Sequence, residues 1–361
     1  MTIAALSRRS FLVSAAGLAF STTCLAGSRA PEAEVLVQGV AHPWALAPSP
    51  DGRLFFTERD SGRIRLWENG RLAAAPVTTL PVANLAYGGL MGLALDPDFP
   101  REPLLYAMYT AARFDGPFHR IVRLSFDGAR ARDEGVLLDR LPAAGTHHGG
   151  RVKFGPDGKL YATLGVGLTQ GVGDPANAPA RDPQVLIGKI LRLERDGSIP
   201  ADNPFQGSPV YSVGHRNPQG LAWSPKGVLF ATEHGHVSDD ELNRIEPGAD
   251  FGWPEVEGDR HAHPFVSPVH LWRETIAPSG ATFHSGRGAE DWAGSLFVAA
   301  LKARHLRRLT FDATASQVTS DEILFQGRFG RFRDVAEAAD GALLVSTDNG
   351  DDVVLRVTFG R

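Results

Sequence analysis

The stretch GGRVKFGPDGKLYATLG, from Gly149 to Gly165, reads as two short apolar strands joined by a tight Pro-Asp-Gly turn. Asp-Gly between runs of alternating apolar residues is hairpin chemistry, because glycine supplies the positive φ that such turns demand. The same unit recurs five more times in looser form. The first strands read as Trp44–Ser49, Leu90–Asp96, Arg151–Gly155, Leu221–Ser224, Gly280–His284 and Asp334–Ala338. Their partners read as Leu54–Glu58, Leu104–Thr110, Leu160–Leu164, Leu229–Glu233, Leu296–Leu301 and Leu343–Thr347. A third strand follows in each unit, with an arginine-apolar rhythm in most: Arg63–Trp67, Arg120–Phe126, Lys189–Glu194, Glu241–Ile245, Leu306–Phe311 and Val353–Val357. Units of about 55 residues repeated along a chain mean blades or a solenoid. The segment Glu34–Val40 alternates like a strand but precedes the first unit, so it is free to pair with the last blade and close the ring. The expected fold is all-β: a six-bladed β-propeller of four-stranded antiparallel blades, closed by an N-terminal strand.

Residues 1–30 read as an export signal. Ser7-Arg8-Arg9-Ser10-Phe11-Leu12 is a twin-arginine pattern, followed by an apolar stretch to Leu25 that is too short to span a bilayer. The expectation is a periplasmic protein with no stable membrane insertion, whose residues 31–361 form a single propeller domain carrying the catalytic site. Cys24 lies within the signal, so the exported chain has no disulfide, thiolate metal site or cysteine nucleophile. Against 41 acidic residues stand 37 lysines and arginines that form no basic tract, which argues against nucleic acid.

In an up-and-down meander, the loop before the innermost strand and the loop after the second strand open on the same face. That topology gathers distant residues around one axial mouth. Tyr87, His147, Arg216, Asn217, Arg331 and Arg333 precede innermost strands, while His234, Gly235, His236 and Lys302 follow second strands. Four cations on one face suggest an anionic ligand, since guanidinium forks match carboxylates. The competing reading is that each arginine braces a loop by pairing with a neighbour such as Asp334 or Asp240. His147 also has two readings. It is either a structural histidine or, opening inward beside two glycines, a neutral imidazole able to take a proton from an alcohol. His148, His215, His234 and His236 lack the spacing of a zinc motif on a regular element.

Taken in order, several motifs make the chain resemble the soluble PQQ-dependent aldose sugar dehydrogenases, relatives of glucose and sorbosone dehydrogenases. They are HPWALAPSPDGRLFFTE (His42–Glu58), GGLMGLALDPDF (Gly88–Phe99), HHGGRVKFGPDGKLY (His147–Tyr161), LIGKILRL (Leu186–Leu193) and GHRNPQGLAW (Gly214–Trp223). TEHG (Thr232–Gly235), DDELN (Asp239–Asn243), IAPSG (Ile276–Gly280) and GRFRDV (Gly330–Val335) complete the series. The likeness spans His42 to Arg356 and implies the same six-bladed propeller. It implies His147 as the general base at the anomeric C1 hydroxyl of an aldose, with hydride passing to C5 of PQQ and a lactone as product. It implies Arg216 as the group stabilising charge on the reduced cofactor, with Asn217 beside it, and Lys302, Arg331 and Arg333 as cations holding PQQ. His234 and Tyr87 join that cofactor-binding set. The backbone carbonyls of Gly235 and His236 match ligands of a calcium ion, and Asp240 a supporting acid. The implied partners are an aldose and an external electron acceptor such as a quinone, a cytochrome or a dye.

Two positions depart from the family pattern. Tyr87 stands where relatives usually carry glutamine, and Val166 stands where they usually carry an aspartate able to orient the base. A periplasmic propeller that binds PQQ or a sugar with little or no turnover is therefore the alternative. A calcium-dependent lactonase and a pure protein-interaction propeller are further readings, both disfavoured by the arginine-rich mouth.

Overall fold

The computed structural model describes residues 30–143, 145–167, 172–260, 263–349 and 352–359. Apart from Ala30, the expected signal lies outside them. The six hairpin units each become a blade. Blade 1 contains Pro43–Pro48, Leu54–Glu58 and Arg63–Glu68, and its outermost position is shared by the two-residue strands Arg71–Leu72 and Thr78–Thr79. Blade 2 is Leu90–Leu95, Leu104–Arg113, Gly116–Phe126 and Ala131–Pro142, and blade 3 is Gly149–Phe154, Leu160–Leu164, Lys189–Leu193 and Val210–Ser212. Blade 4 is Pro218–Trp223, Leu229–Glu233, Asp240–Ile245 and His270–Trp272, and blade 5 is Pro278–Phe283, Leu296–Ala300, His305–Phe311 and Val318–Leu324. Blade 6 is Phe332–Glu337, Leu343–Thr347 and Asp352–Thr358, completed by Glu32–Val40 from the start of the chain.

That closing strand pairs antiparallel with the last one, from Glu32 opposite Thr358 to Val40 opposite Asp352. The innermost strands touch in cyclic order, with Pro43–Pro48 against both Leu90–Leu95 and Phe332–Glu337, so the sheets close into a ring. Among the described residues, no helix is long and apolar enough to cross a membrane. Apolar side chains fill the wedges between blades. Phe55 of blade 1 meets Phe99 and Phe126 of blade 2 edge-on at 5.5 and 5.1 Å. Burial of each such ring contributes about 1.5–3 kcal/mol.

Every innermost strand breaks register near its mouth end. The irregularities fall between Pro43 and Leu46, Leu90 and Leu93, Gly149 and Val152, Pro218 and Gly220, Pro278 and Ala281, and Phe332 and Asp334. A bulge adds a residue on one side of the ladder and re-aims its side chain. Five of the six innermost strands therefore start one to three residues before the sequence-based boundary, and Leu90 alone starts where expected. The re-aimed residues are Trp44, Met91, Arg151, Gln219, Ser279 and Arg333, and they form the floor beneath the mouth.

That floor is polar and stitched across the axis. Arg151, almost fully buried, donates Nη1 to Asp334 Oδ2 at 2.9 Å and Nε to the Gln219 carbonyl at 2.9 Å. Asp334 Oδ2 also accepts the Leu46 amide at 2.8 Å, so blades 3, 6 and 1 share one buried carboxylate. The Trp44 ring sits between two guanidiniums, with Arg151 4.3 Å and Arg333 5.7 Å from its centroid.

Candidate functional site

Above this floor lies a cavity of about 210 Å³, lined by Tyr87, His147, Asn217, His234, Arg331 and Arg333, with Trp44, Met91 and Gln219 below. The mouth topology thus brings together most of the residues singled out from sequence. Arg216 and Gly235 line a small neighbouring pocket instead, His236 lines neither, and Lys302 stands apart: its backbone is tied to the Ile276 carbonyl at 3.0 Å, its side chain is exposed, and its neighbour Leu301 lines the cavity in its place.

His147 is half-buried at the end of the loop entering blade 3. Two glycines set its place. A Cβ on Gly165 would come within 2.3 Å of the His147 carbonyl oxygen, and Gly149 holds φ +65° while donating its amide to Asn217 Oδ1 at 3.1 Å. The His147 carbonyl accepts the Gly167 amide at 2.8 Å. Arg216 Nη2 lies 3.2 Å from His147 Nε2. A guanidinium only donates, so in this contact Nε2 carries the lone pair and the ring proton sits on Nδ1.

Arg216 is buried and held by neutral groups. Nη1 donates to the His234 carbonyl at 3.2 Å, and the Trp253 ring lies 5.3 Å from the guanidinium carbon. Its Nε has no hydrogen-bond partner. Burial lowers its pKa, while Glu233, Glu257 and Asp240 act through space to keep it charged. Glu233 organises the backbone behind it, accepting the amides of Arg216 and Asn217 and the His215 imidazole.

His234 donates Nε2–H to the Pro278 carbonyl at 2.8 Å, and burial lowers its pKa. Beyond it, the Gly235 amide donates to Asp240 Oδ1 at 2.9 Å and the His236 amide to Glu257 Oε2 at 3.2 Å. The other oxygen of Asp240 accepts from Thr275 Oγ1 and the amides of Ile276 and Ala277, which ties the loop to blade 5.

Arg333 is a different kind of arginine. It is buried, donates Nε and Nη2 to Asp348, and donates Nη1 to Gln219 Oε1 at 3.0 Å. Asp348 also faces Arg59 at 3.6 Å. Burial works against its charge, yet Arg333, Arg59 and His42 hold its carboxyl below the usual range. The bracing reading therefore holds for Arg333, with Asp348 as partner, while Asp334 pairs with Arg151 and Asp240 caps backbone amides. Arg331, half-buried, donates its amide to Asn349 Oδ1 at 2.9 Å. Among the described residues, Arg216, Arg331 and Lys302 make no ion pair. Tyr87 is 60% exposed at the rim.

His42, Asp348 and Asp352 lie close enough to hold a metal among them. Their acids are committed elsewhere, however: Asp348 to the arginines, and Asp352 to the amides of His42 and Asn349 and to Thr347 Oγ1. The other histidines serve the scaffold. His215 bridges Ser212 Oγ and Glu233 at 2.8 and 2.9 Å, and His148 meets His119 at 3.2 Å. Val166 is buried in a cluster with Ala180 and Trp253, against the face that supports Arg216.

Sequence reasoning placed Gln219 at the mouth, at the end of Arg216-Asn217-Pro218-Gln219, without assigning it a role, and it missed Trp44 and Met91, which follow the pre-strand motifs His42-Pro43 and Tyr87-Gly88-Gly89 within two residues. That shared proximity was the available signal.

Against this geometry, the Glucose / Sorbosone dehydrogenase family profile matches residues 40–356. The chain is 32% identical to an aldose sugar dehydrogenase of Escherichia coli, covering 90% of this chain and 92% of that protein. It is 29% identical to quinoprotein glucose dehydrogenase B of Acinetobacter calcoaceticus, covering 89% and 86%. The solved PQQ-bound form of an aldose sugar dehydrogenase from Streptomyces coelicolor superposes with a TM-score of 0.80 at 35% identity, covering 91% of this chain and 98% of that one.

Proposed function

The chain belongs to the Glucose / Sorbosone dehydrogenase family and is an oxidoreductase acting on sugars, and from that premise we propose that it oxidises aldoses at the anomeric C1 hydroxyl to lactones, using PQQ and calcium held in the axial cavity. One observation carries this reading: the His147 imidazole lines a cavity with Arg331 and Arg333, and its Nε2 meets Arg216, a guanidinium that makes no ion pair among the described residues.

The residues present suit both groups. PQQ has three carboxylates, and Arg216 and Arg331 make no ion pair among the described residues. The free Nε of Arg216 is a buried donor in want of an acceptor. Calcium takes oxygen donors. The Gly235 and His236 carbonyls belong to peptides on a loop braced by Asp240 and Glu257. When bound, PQQ with calcium beside it would supply the two-electron acceptor for the hydrogen leaving C1.

The protein supplies the rest. His147 receives the hydroxyl proton at Nε2, whose single lone pair the sugar hydroxyl takes over from the Arg216 N–H before the proton moves. A base placed in this way is worth about 10²–10⁴ in rate. Arg216 stands next to the reacting atoms as a fixed positive charge that needs no reorganisation. Asn217 and Gly149 lock the approach of the loop, and Tyr87 forms the outer wall on the side open to sugar. An external acceptor then takes the electrons. Twin-arginine export to the periplasm is part of the proposal, and replacing Arg8 and Arg9 by lysine is expected to leave precursor inside the cell.

Titration of the purified protein with PQQ and calcium, followed by an aldose panel with a dye acceptor, tests the reading. The expected result is saturable binding and lactone formation. Tight PQQ binding with no turnover of any aldose would instead support the binding-propeller reading. That second reading is favoured by Val166, which leaves no carboxylate at that position to orient His147.

A further inference from the structure

Lys189 begins the third strand of blade 3, within the LIGK stretch, and is fully buried. Its ammonium is met by backbone carbonyls: Pro179 at 3.1 Å, Ala180 at 2.5 Å and Ile187 at 2.7 Å. Three donors therefore find three acceptors, the full capacity of the group. Asp182 and Asp250 act on it only through space. Burying an ammonium away from any contacting carboxylate is costly, so the arrangement calls for a compensating role.

The carbonyls it gathers lead to Arg216 by two routes. The Ala180 carbonyl also accepts the amide of Gly214 at 2.7 Å, two residues before Arg216, and the Gly188 carbonyl accepts the His215 amide at 3.2 Å. The Arg216 carbonyl in turn accepts the Val166 amide at 2.9 Å. On the side-chain route, Ala180 packs in one buried cluster with Val166 and Trp253, and Trp253 lies against the Arg216 guanidinium. The segment Pro175–Arg181 thus touches the backbone two residues before the arginine that faces His147 and the tryptophan cluster that supports its side chain.

We propose that Lys189 is a positioning residue: its ammonium clasps three carbonyls as a bound metal cation would, and through Ala180 it sets Arg216 against His147. The kinetic consequence rests on the dehydrogenase reading, whereas the structural one does not.

Two arms test it on the full chain. In the first, amide hydrogen exchange is followed by mass spectrometry over residues 212–218 in wild type and Lys189→Met. The clasp requires exchange there to rise about tenfold or more. In the second, enzyme loaded with PQQ and calcium is assayed with an aldose and dye. Lys189→Met is expected to lower kcat about tenfold to a hundredfold, as small misplacements of reacting groups do. KM for the aldose should stay within about threefold. In an Arg216→Ala background the same substitution should cost nothing further, because the two residues act as one unit. Unchanged exchange, or a kcat loss equally large with and without Arg216, would overturn the proposal. If Lys189→Met does not fold, Lys189→Gln, which keeps two N–H donors, is read in its place and should show intermediate losses. Wild-type behaviour of the glutamine variant, or failure of both variants to fold, also overturns it. An inactive wild type sinks the dehydrogenase reading alone and leaves the exchange arm to decide on Lys189.

Discussion

Arg333, on the blade 6 side of the mouth, is clamped to Asp348, which also faces Arg59 and His42. Arg216, on the blade 4 side, is equally buried yet rests on a tryptophan face, a carbonyl and an imidazole. The two arcs use the same residue type for opposite ends. Where the positive charge is neutralised within the protein, the side chain becomes masonry: it fixes Trp44 and Gln219 and has little charge left for a ligand. Where no carboxylate touches it, as at Arg216, acids sustain the charge only through space, and its positive field reaches the imidazole beside it.

The most severe way to probe this division is His147→Gln. On the reading above it lowers kcat about 10²–10⁴-fold while leaving the apparent affinity for PQQ and the thermal midpoint nearly unchanged, as checked by steady-state dye reduction and by titration. Arg216→Ala comes next. Loss of a preorganised charge at the reacting centre lowers kcat about 10²–10³-fold, and here PQQ binding should weaken too. The mirror experiment, Asp348→Asn, strips Arg333 of its partner and leaves a buried charge uncompensated. It should cost about 3–5 kcal/mol of stability in denaturant titrations, with a much smaller effect on turnover per folded molecule. If Asp348→Asn instead abolished turnover in well-folded protein, the two arcs would not be divided as described.

The mildest probe is acid. Burial pushes His119 down to about 3 and lowers His148 as well, because both rings are kept neutral at the back of the His147 loop. An unfolded chain binds those protons first as pH falls below about 6.5, so the stability present above that pH is lost progressively on acidification. Unfolding midpoints measured from pH 7.5 to 4.5 should decline, and the decline should be shallower in His119→Asn.

Much of this architecture was readable in the chain before any coordinates. The hairpins announce themselves through Asp-Gly turns and period-two runs, and six copies leave few arrangements other than a closed ring. Glu34–Val40 was legible as the closing strand, which in the fold begins two residues earlier at Glu32, because an unpaired edge of that length needs a partner. The outermost strands of the other blades were not legible: Arg71–Leu72 and His270–Trp272 are too short to show a period, and Ala131–Pro142 is interrupted by bulges. The bulges themselves hid Trp44 and Met91, since a slip of one residue in backbone register has no side-chain signature of its own. Lys302 looked like a cavity residue because its loop ends at the mouth, but the side chain turns to solvent and Leu301 faces inward. Val166 read as a lost carboxylate, and in the fold it is also a gain: its side chain builds the apolar wall behind Trp253.

Because Glu32 and Thr358 are register partners in the same blade, the first and last strands of the propeller start and finish side by side. The arc that carries His147 and Arg216 is assembled from loops that never pass through that seam. A short tether joining these ends, with new termini opened in the exposed Asp51-Gly52 turn, would move the seam to another blade without redrawing the cavity. In such a permuted chain the order in which the blades are synthesised changes, while the geometry around His147 does not.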